Sequence, residues 1–206
     1  PSEAVRIPAS LLVPRDGRLD LHVTNELEEV LYLDRLSLAA VAHPQDLAVY
    51  PNEGMTDPPK PSRLHVVRQP HSVPRATDDH GHDVTAAVEA QDGHAPDDFG
   101  RRRIRGFTEM HSVTIELPDT RVPQTLLLTG WTDYAFSSDN VAAAQAGWPA
   151  QTPPILDRLD AEGRWHETRV AVGIPVGHPQ TIPIDLTAVL RPGDRAVRVR
   201  TDMRIY

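Results

Sequence analysis

Apolar and polar residues alternate along much of this chain. Between residues 19 and 25, Leu19, Leu21 and Val23 alternate with polar side chains, and this period of two predicts a half-buried strand. The run VLYLDRLSLAAVA at residues 30–42 favours a long strand, with a short helix as the alternative. Further strands are predicted at residues 47–50, 64–67, 111–118, 125–131, 154–160, 168–176, 180–186 and 195–206.

These short strands, with only minor helices, are typical of an all-β fold. The continuous apolar run TLLLTGW at residues 125–131 predicts a central strand buried on both faces. Short helices are predicted from Asp83 to Ala90 and over residues 139–147, while 20 prolines disfavour longer ones. We therefore predict a two-sheet β-sandwich of jelly-roll or immunoglobulin-like type over residues 1–206, with a loop-rich, Pro-rich insertion at 51–106.

Composition narrows the classes of partner. The net charge of −8 disfavours nucleic acid and anionic membranes, because binding to phosphates requires a basic surface. The chain has no cysteine, so it forms neither a disulfide nor a thiolate zinc site. It has no apolar run long enough to span a bilayer. Because it begins at Pro1 and ends at Tyr206 within a strand-like run, we expect a piece of a longer or processed polypeptide.

Four long phrases resemble one group of bacterial proteins. They are ELEEVLYLDRLSLAAVAHPQDLAVYPNEG, LLLTGWTDYAFSSDNVAAAQAG, GIPVGHPQTIPIDLT and VRVRTDMRIY. Together they resemble the C-terminal β-rich block of proteins with FG-GAP/VCBS (integrin-like propeller) repeats and an ASPIC/UnbV module. The resemblance covers most of the chain outside its loop-rich middle. It implies a periplasmic or extracellular, envelope-associated location, with any membrane association made through a partner or another segment, and it brings no catalytic residues.

The segment GWTDYAFSSDN at residues 130–140 concentrates aromatic and polar side chains after an apolar strand. One interpretation is a structural corner, with Ser138 or Asp139 capping a helix that ends at Gly147. The alternative is a ligand surface, in which aromatic rings stack on a sugar and polar groups bind its hydroxyls. That surface would consist of Trp131, Asp133, Tyr134, Asp139 and Asn140.

The segment TDDHGHD at residues 77–83 carries the best metal-binding side chains. Imidazole suits zinc, copper or nickel, and carboxylates suit calcium, but the spacing fits no standard metal motif. A solvated turn is the alternative. The candidate ligands, for Ca²⁺ or Zn²⁺ as the only predicted cofactors, are Asp78, Asp79, His80, His82 and Asp83.

Arg101, Arg103 and Arg105 stand at alternate positions in RRRIRGF. On a strand they would form one guanidinium stripe that binds an anion or a partner protein. The alternative is pairing with Asp97, Asp98 or other nearby acids.

The chain lacks the common motifs of nucleophilic, phosphate-binding or dinucleotide-binding enzymes. We therefore expect no enzyme activity, but a structural subunit or accessory module of the bacterial envelope that docks onto a partner protein or larger complex. A carbohydrate-binding module is the first alternative, and a metal-dependent hydrolase using His80, His82 and Asp83 is the second.

Overall fold

The computed structural model describes residues 4–24, 32–68, 70–90, 92–118 and 124–206. Strands make up 33% of the chain and helices 9%, so the predicted mainly β class is confirmed. The strands are β1 (Leu47–Pro51), β2 (Leu64–Arg68), β3 (Ala76–Asp78), β4 (Phe107–Glu116), β5 (Thr125–Gly130), β6 (Ile155–Leu159), β7 (Trp165–Ala171), β8 (Gln180–Asp185) and β9 (Ala196–Met203). The helices are α1 (Thr85–Glu89) and α2 (Ser137–Gln145), preceded by a 3₁₀ turn at Ala9–Leu11.

All strand pairing is antiparallel. Five strands form one sheet in the order β3-β4-β9-β6-β7, whereas β1 pairs with β2 and β5 pairs with β8. Within the described residues the sheets do not close into a barrel. In the same part of the chain, no helix combines the length and apolar character that crossing a bilayer requires.

The main core takes side chains from both the five-stranded sheet and the β5–β8 pair. Leu156 of β6 and Val197 of β9 are fully buried, and they belong to one cluster with Ile182 and Ile184 of β8. Burying such side chains contributes about 1.5–3 kcal/mol each. This core supports the five-stranded sheet, whose strands β3 and β4 carry Asp78 and His111 of the candidate site.

Two turns join consecutive strands, AEGRW at residues 161–165 between β6 and β7 and RPGD at residues 191–194 between β8 and β9. In the AEGRW turn, the Asp160 carboxylate accepts hydrogen bonds from the backbone N–H of Arg164 and from the ring of His166. These bonds hold the pKa of Asp160 well below its usual range. In the RPGD turn, the Asp194 backbone donates to the Arg191 carbonyl, and the Asp194 carboxylate pairs with Arg158 at 2.9 Å.

The first two predicted strands are wrong within the described residues. Residues 19–24 and 32–42 form no strand, and Leu21 and Tyr32 remain 46% and 87% exposed. Alternation stabilises a strand only where a neighbouring strand accepts its hydrogen bonds and an apolar layer covers one face, and neither occurs here. Residues 25, 30 and 31 of these predictions lie outside the described residues.

The interpretation of residues 125–131 as a central strand is also wrong. In the described part of the chain β5 pairs with β8 alone, with Leu126 buried, Leu127 and Leu128 half-buried and Thr129 exposed. One side of the strand therefore remains without a ladder, and the continuous apolar run reflects packing against the core rather than a central position.

Both predicted helices exist, with shifted starts. Asp83 lies one residue before the α1 N-cap, where its carboxylate accepts the Thr85 N–H, and α1 is shorter than the predicted two turns. The N-cap of α2 is Phe136, not Ser138 or Asp139; Asp139 instead stands at the third helical position and accepts the Phe136 N–H at 2.9 Å. The predicted end of α2 is confirmed.

Gly147 terminates α2 with a Schellman motif. Its φ is +72°, its N–H donates to the Ala144 carbonyl, and the Trp148 N–H donates to the Ala143 carbonyl. Glycine adopts this left-handed conformation without the cost that a Cβ imposes.

Candidate functional site

The turn between β3 and α1 is built around the carboxylate of Asp78. One of its oxygens, Oδ1, accepts the backbone N–H groups of His80 and His82 at 2.9 and 2.8 Å. Gly81, with φ +85°, permits the tight turn, and the Asp78 N–H donates to the His82 carbonyl. The Asp78 side chain is 8% exposed. The turn therefore fixes this carboxylate and leaves its second oxygen to face the ring of His82.

A fourth residue joins this turn from a distant segment. The Oδ2 atom of Asp98 lies 3.4 Å from Nδ1 of His82 and 3.9 Å from Nδ1 of His80, while the Asp78 Oδ2 lies 3.0 Å from the His82 Nδ1. One ligand atom from each residue lies within 4.8 Å of all the others. We define the His–Asp cluster as Asp78, His80, His82 and Asp98.

The cluster differs from the predicted ligand set in three residues. Asp98 is gained, whereas Asp79 and Asp83 do not belong to it. The Asp83 carboxylate turns instead to the Thr85 N–H and to Arg75, 3.4 Å away. No local sequence pattern marked Asp98 as a ligand. It belongs to another segment and approaches the two histidines only in the folded structure.

Hydrogen bonds favour the ionised form of two carboxylates at this turn. Desolvation works against ionisation of Asp78, but hydrogen bonds from the His82 backbone and ring keep its pKa below the ordinary value. Hydrogen bonds from the hydroxyl and N–H of Thr85 lower the pKa of Asp83. Both groups are therefore anionic at neutral pH.

An aromatic row starts next to the cluster. Phe99, the neighbour of Asp98, stacks on His111 of β4 with ring centroids 4.2 Å apart, and it lies 5.6 Å from Tyr206. Tyr206 in turn stacks on Trp131, with centroids 5.8 Å apart. We name Trp131, Tyr206, Phe99 and His111 the aromatic row.

Backbone pairing after β9 fixes the far end of this row. The N–H of Trp131 donates to the Tyr206 carbonyl at 2.9 Å, and the N–H of Tyr206 donates to the Trp131 carbonyl at 2.8 Å. Trp131 remains 38% exposed, so its ring is accessible to a ligand. Trp131 was predicted as a ligand-binding residue. Tyr206 was not, because it lies 75 positions away in the sequence and reaches Trp131 only through backbone pairing in the folded chain.

The Asp133 carboxylate is engaged by two arginines. Its oxygens lie 2.8 Å from Arg105 and 2.7 Å from Arg204, with 15% of the side chain exposed. Gly106 permits this approach, because a Cβ there would collide with the backbone nitrogen of Ala135. Asp133 therefore acts here as the anchor of an ion-pair network rather than as a free acceptor for hydroxyl groups.

The other predicted ligand residues lie beside this network. Tyr134 is half-buried and packs edge-on against Phe136, over which the Arg105 guanidinium lies at 4.2 Å. Asp139 is occupied at the start of α2, and Asn140 is exposed on that helix. The structure thus brings Trp131 to the aromatic row and places Asp139 and Asn140 in α2.

The predicted arginine stripe does not form. Residues 103–106 turn, with the Phe107 N–H donating to the Ile104 carbonyl, so Arg101, Arg103 and Arg105 do not share one face of a strand. Arg101 contacts Asp97 at 3.5 Å and Arg105 contacts Asp133, whereas Arg103 is exposed. The alternative of pairing with nearby acids is confirmed for Arg101.

Apart from the aromatic row, a second candidate binding surface lies in the first part of the chain and consists of exposed apolar side chains. Of the twenty large hydrophobic residues exposed in the described part of the chain, twelve lie between residues 5 and 41. They are Val5, Ile7, Leu11, Val13, Leu19, Leu21, Val23, Tyr32, Leu33, Leu36, Leu38 and Val41. We name residues 4–24 and 32–42 the N-terminal apolar segment. It contacts the sheets through Arg6, whose guanidinium lies 4.4 Å above the Tyr50 ring.

Comparison with known proteins gives no relative from which to transfer a function. No protein-family model matches the chain, and no curated protein or solved structure matches it either. The features of this chain that can indicate a function are therefore the aromatic row, the N-terminal apolar segment and the His–Asp cluster.

Proposed function

We propose that this chain is a non-catalytic accessory module of the bacterial envelope that docks onto a partner protein or larger complex. One observation carries the proposal: the exposed apolar side chains are concentrated in the N-terminal apolar segment. Single exposed hydrophobic residues are ordinary, but a concentration of them marks an interaction surface. Covering these side chains with a partner would remove their apolar area from water and favour association.

The pattern of the segment suits one mode of docking. Leu19, Leu21 and Val23 alternate with polar residues, so an extended conformation places all three on the same face. Such a segment can add as a strand to the sheet edge of a partner, which supplies both the missing backbone hydrogen bonds and the apolar cover. The strand predicted from the sequence would then form in the complex.

Proline-rich loops support docking as well. Residues 51–62 contain four prolines, and proline restricts the conformations of a free loop. A loop that is already restricted loses less entropy when a partner orders it. The periplasmic or extracellular location rests on the resemblance to envelope-associated bacterial proteins.

The proposed architecture is a two-sheet β-sandwich. It is supported by the core cluster, in which Leu156 and Val197 of the five-stranded sheet join Ile182 and Ile184 of β8. Two antiparallel sheets packed over such a core are typical of sandwiches.

The state of the native chain in cell extracts tests the docking proposal. Gentle extraction of membranes and periplasm, followed by size-exclusion chromatography, should place the chain in a complex larger than its own 22.8 kDa. Recovery of the chain as an isolated monomer without a stable partner would contradict the proposal.

A carbohydrate-binding module is the second candidate, and the aromatic row favours it. Trp131 is exposed and supported from behind by Tyr206, and such rings bind sugar faces by apolar contact. The neighbouring Arg204, which donates to the Tyr206 hydroxyl and is held by Asp133, adds a polar group beside the row.

Affinity electrophoresis in gels that contain soluble polysaccharides separates the two candidates. If the row binds glycan, Trp131→Ala should abolish the retardation of the wild-type chain while the circular dichroism spectrum is retained. Tyr32→Ala, which removes an exposed ring outside the row, is the matched control. Equal mobility of the wild type and Trp131→Ala in every gel would contradict the glycan candidate.

A further inference from the structure

The His–Asp cluster combines side chains that suit a transition metal. It offers two imidazole nitrogens and two carboxylate oxygens from a single turn and one neighbouring segment. Zinc takes four such ligands in a tetrahedron with bonds of about 2.0–2.2 Å, which places the ligand atoms roughly 3.3–3.6 Å apart. The distances of 3.0, 3.4 and 3.9 Å between the histidine nitrogens and the carboxylate oxygens bracket that range.

The turn orients Asp78 before any ligand arrives. Two backbone N–H groups hold Oδ1, so rotation of the carboxylate is restricted and Oδ2 stays directed at the His82 ring. Side chains fixed by such supporting hydrogen bonds are typical of metal sites. At 8% exposure, this carboxylate is also the most buried of the four side chains.

Asp98 is held in place by its own neighbours. Phe99 stacks on His111, and the Gly100 carbonyl accepts the Glu109 N–H at 2.7 Å, so the segment before β4 is fastened to that strand. The backbone that carries the Asp98 carboxylate is therefore held in position near the two histidines. An ion bound there would link this segment to the β3–α1 turn.

The charges of the cluster match a divalent ion. Two neutral imidazoles and two carboxylates carry a charge of −2, which one divalent cation cancels. Ca²⁺ and Mg²⁺ prefer shells made of oxygen, with 6–8 oxygens for Ca²⁺, whereas imidazole suits zinc, copper and nickel. The donor set thus selects a first-row transition ion over calcium.

We propose that the His–Asp cluster binds one divalent first-row transition ion, Zn²⁺ being the best fit, and that the ion joins the β3–α1 turn to the segment before β4. Coordination through Nδ1 of His82 leaves the single proton of the neutral ring on Nε2, so the ion takes the place of the hydrogen bond between Nδ1 and the Asp78 carboxylate. This inference does not depend on the proposed docking function, since the ligands and the N-terminal apolar segment share no residue.

Metal titration of the purified full chain tests the inference. After treatment with a chelator, equilibrium dialysis against ZnCl₂ should give one ion per chain, and Zn²⁺ should raise the thermal unfolding midpoint. Co²⁺ in place of Zn²⁺ should show the strong visible absorption of a four-coordinate site. His82→Ala and Asp98→Asn should each weaken Zn²⁺ binding at least about tenfold.

The controls use the same chemistry outside the cluster. His94 lies 3.3 Å from Asp92 in an exposed pair, so His94→Ala should leave Zn²⁺ binding unchanged. The Asp98 side chain is 73% exposed, so Asp98→Asn should fold like the wild type and report on the ligand alone.

Four outcomes would overturn the inference. They are a stoichiometry well below one, the weak spectrum of hydrated Co²⁺, an equal loss of binding in His94→Ala, and tight binding of Ca²⁺ by a chain that ignores Zn²⁺. The first three indicate adventitious surface binding, and the last indicates an oxygen site elsewhere.

Discussion

Two buried threonines differ in hydrogen bonding although their burial is the same. Thr108 is 1% exposed, and its hydroxyl lies 3.2 Å from Nδ1 of His111, whereas Thr132 is 0% exposed and its hydroxyl has no hydrogen-bond partner in the described part of the chain. A buried polar group without a partner loses its hydration and gains nothing in return. Comparing Thr108 with Thr132 therefore distinguishes the stabilisation by a hydrogen-bonded buried hydroxyl from the destabilisation by a buried hydroxyl without a partner.

We expect opposite effects from the same substitution at these two positions. Thr108→Val should lower the free energy of unfolding by about 1 kcal/mol, whereas Thr132→Val should leave it unchanged or raise it by up to about 1 kcal/mol. Urea unfolding followed by circular dichroism measures both values. A larger loss in Thr132→Val than in Thr108→Val would contradict the hydrogen-bond assignment.

Burial of His111 predicts a pH dependence of stability. Desolvation lowers the pKa of His111, although the Glu109 carbonyl and the carboxylates of Asp79 and Asp202 act in the opposite direction. The unfolded chain then binds more protons than the folded chain below the ordinary histidine pKa of about 6.5. This contribution to stability is complete above that value and is lost as the pH falls towards the lower pKa of the folded state.

The variant His111→Gln should show a shallower loss of stability on acidification than the wild type. The free energy of unfolding, measured between about pH 5 and about pH 7.5 with a chelator present, gives the two slopes. Burial also lowers the pKa of His65, so part of the slope should remain. The exposed His94→Gln serves as control, and a His111→Gln slope equal to that of the wild type would contradict the prediction.

At this scale the sequence identified side chains that share a turn and missed those that tertiary structure adds. Asp78, His80 and His82 were predicted as ligands because they lie within five residues of one another. Asp98 and Tyr206 were missed, because each reaches its partner through the pairing of distant segments. The spacing of residues along the sequence does not predict which distant segments contact each other.

At the scale of elements, a buried carboxylate links β6 to β9. Asp157 is 2% exposed and lies 2.7 Å from Arg198 and 2.9 Å from Arg200, both on the neighbouring strand. The Arg198 guanidinium also lies over the Trp165 ring of β7 at 4.3 Å, so one ion-pair network spans three strands. The charges compensate each other only while all partners are present.

Removing the Asp157 charge should therefore destabilise the sheet. We expect Asp157→Asn to lower the free energy of unfolding by about 3 kcal/mol, because the substitution leaves two arginines facing a neutral group. Asp46→Asn is the control: its carboxylate lies 3.8 Å from Arg68 with both side chains well exposed, and its loss should cost less than about 0.5 kcal/mol. Equal losses in chemical denaturation would contradict this interpretation of the network.

Most predicted strands have a neighbouring strand, whereas residues 19–24 and 32–42 have no strand partner among the described residues. Strands β6, β8 and β9 lie wholly within predicted ranges, and β1, β2 and β4 overlap theirs, because each combines the local pattern with a neighbour that accepts its hydrogen bonds. Residues 19–24 have the same alternation but stay exposed without a ladder. An alternation of apolar and polar residues allows a segment to form a strand. Whether the strand forms depends on a neighbouring strand that the rest of the fold supplies.

At the scale of the whole molecule, an acidic surface is combined with an exposed apolar segment. The net charge of −8 keeps such chains apart from one another, while the N-terminal apolar segment offers side chains that a partner can cover. We expect association to be governed by this segment, because the other exposed hydrophobic residues of the described chain are spread over β2, β4, both helices and residues between elements.

Quantitative affinity capture with matched variants tests this docking claim most directly. Tagged wild type, Leu36→Asp/Leu38→Asp and Val141→Asp would be expressed in the native host, extracted gently and compared by mass spectrometry. Both leucines belong to the N-terminal apolar segment, whereas Val141 is similarly exposed on α2. We predict one protein recovered in near-equal amount with the wild type and Val141→Asp and lost from the double variant. Equal recovery with all three chains, or no stoichiometric partner with any of them, would contradict the account.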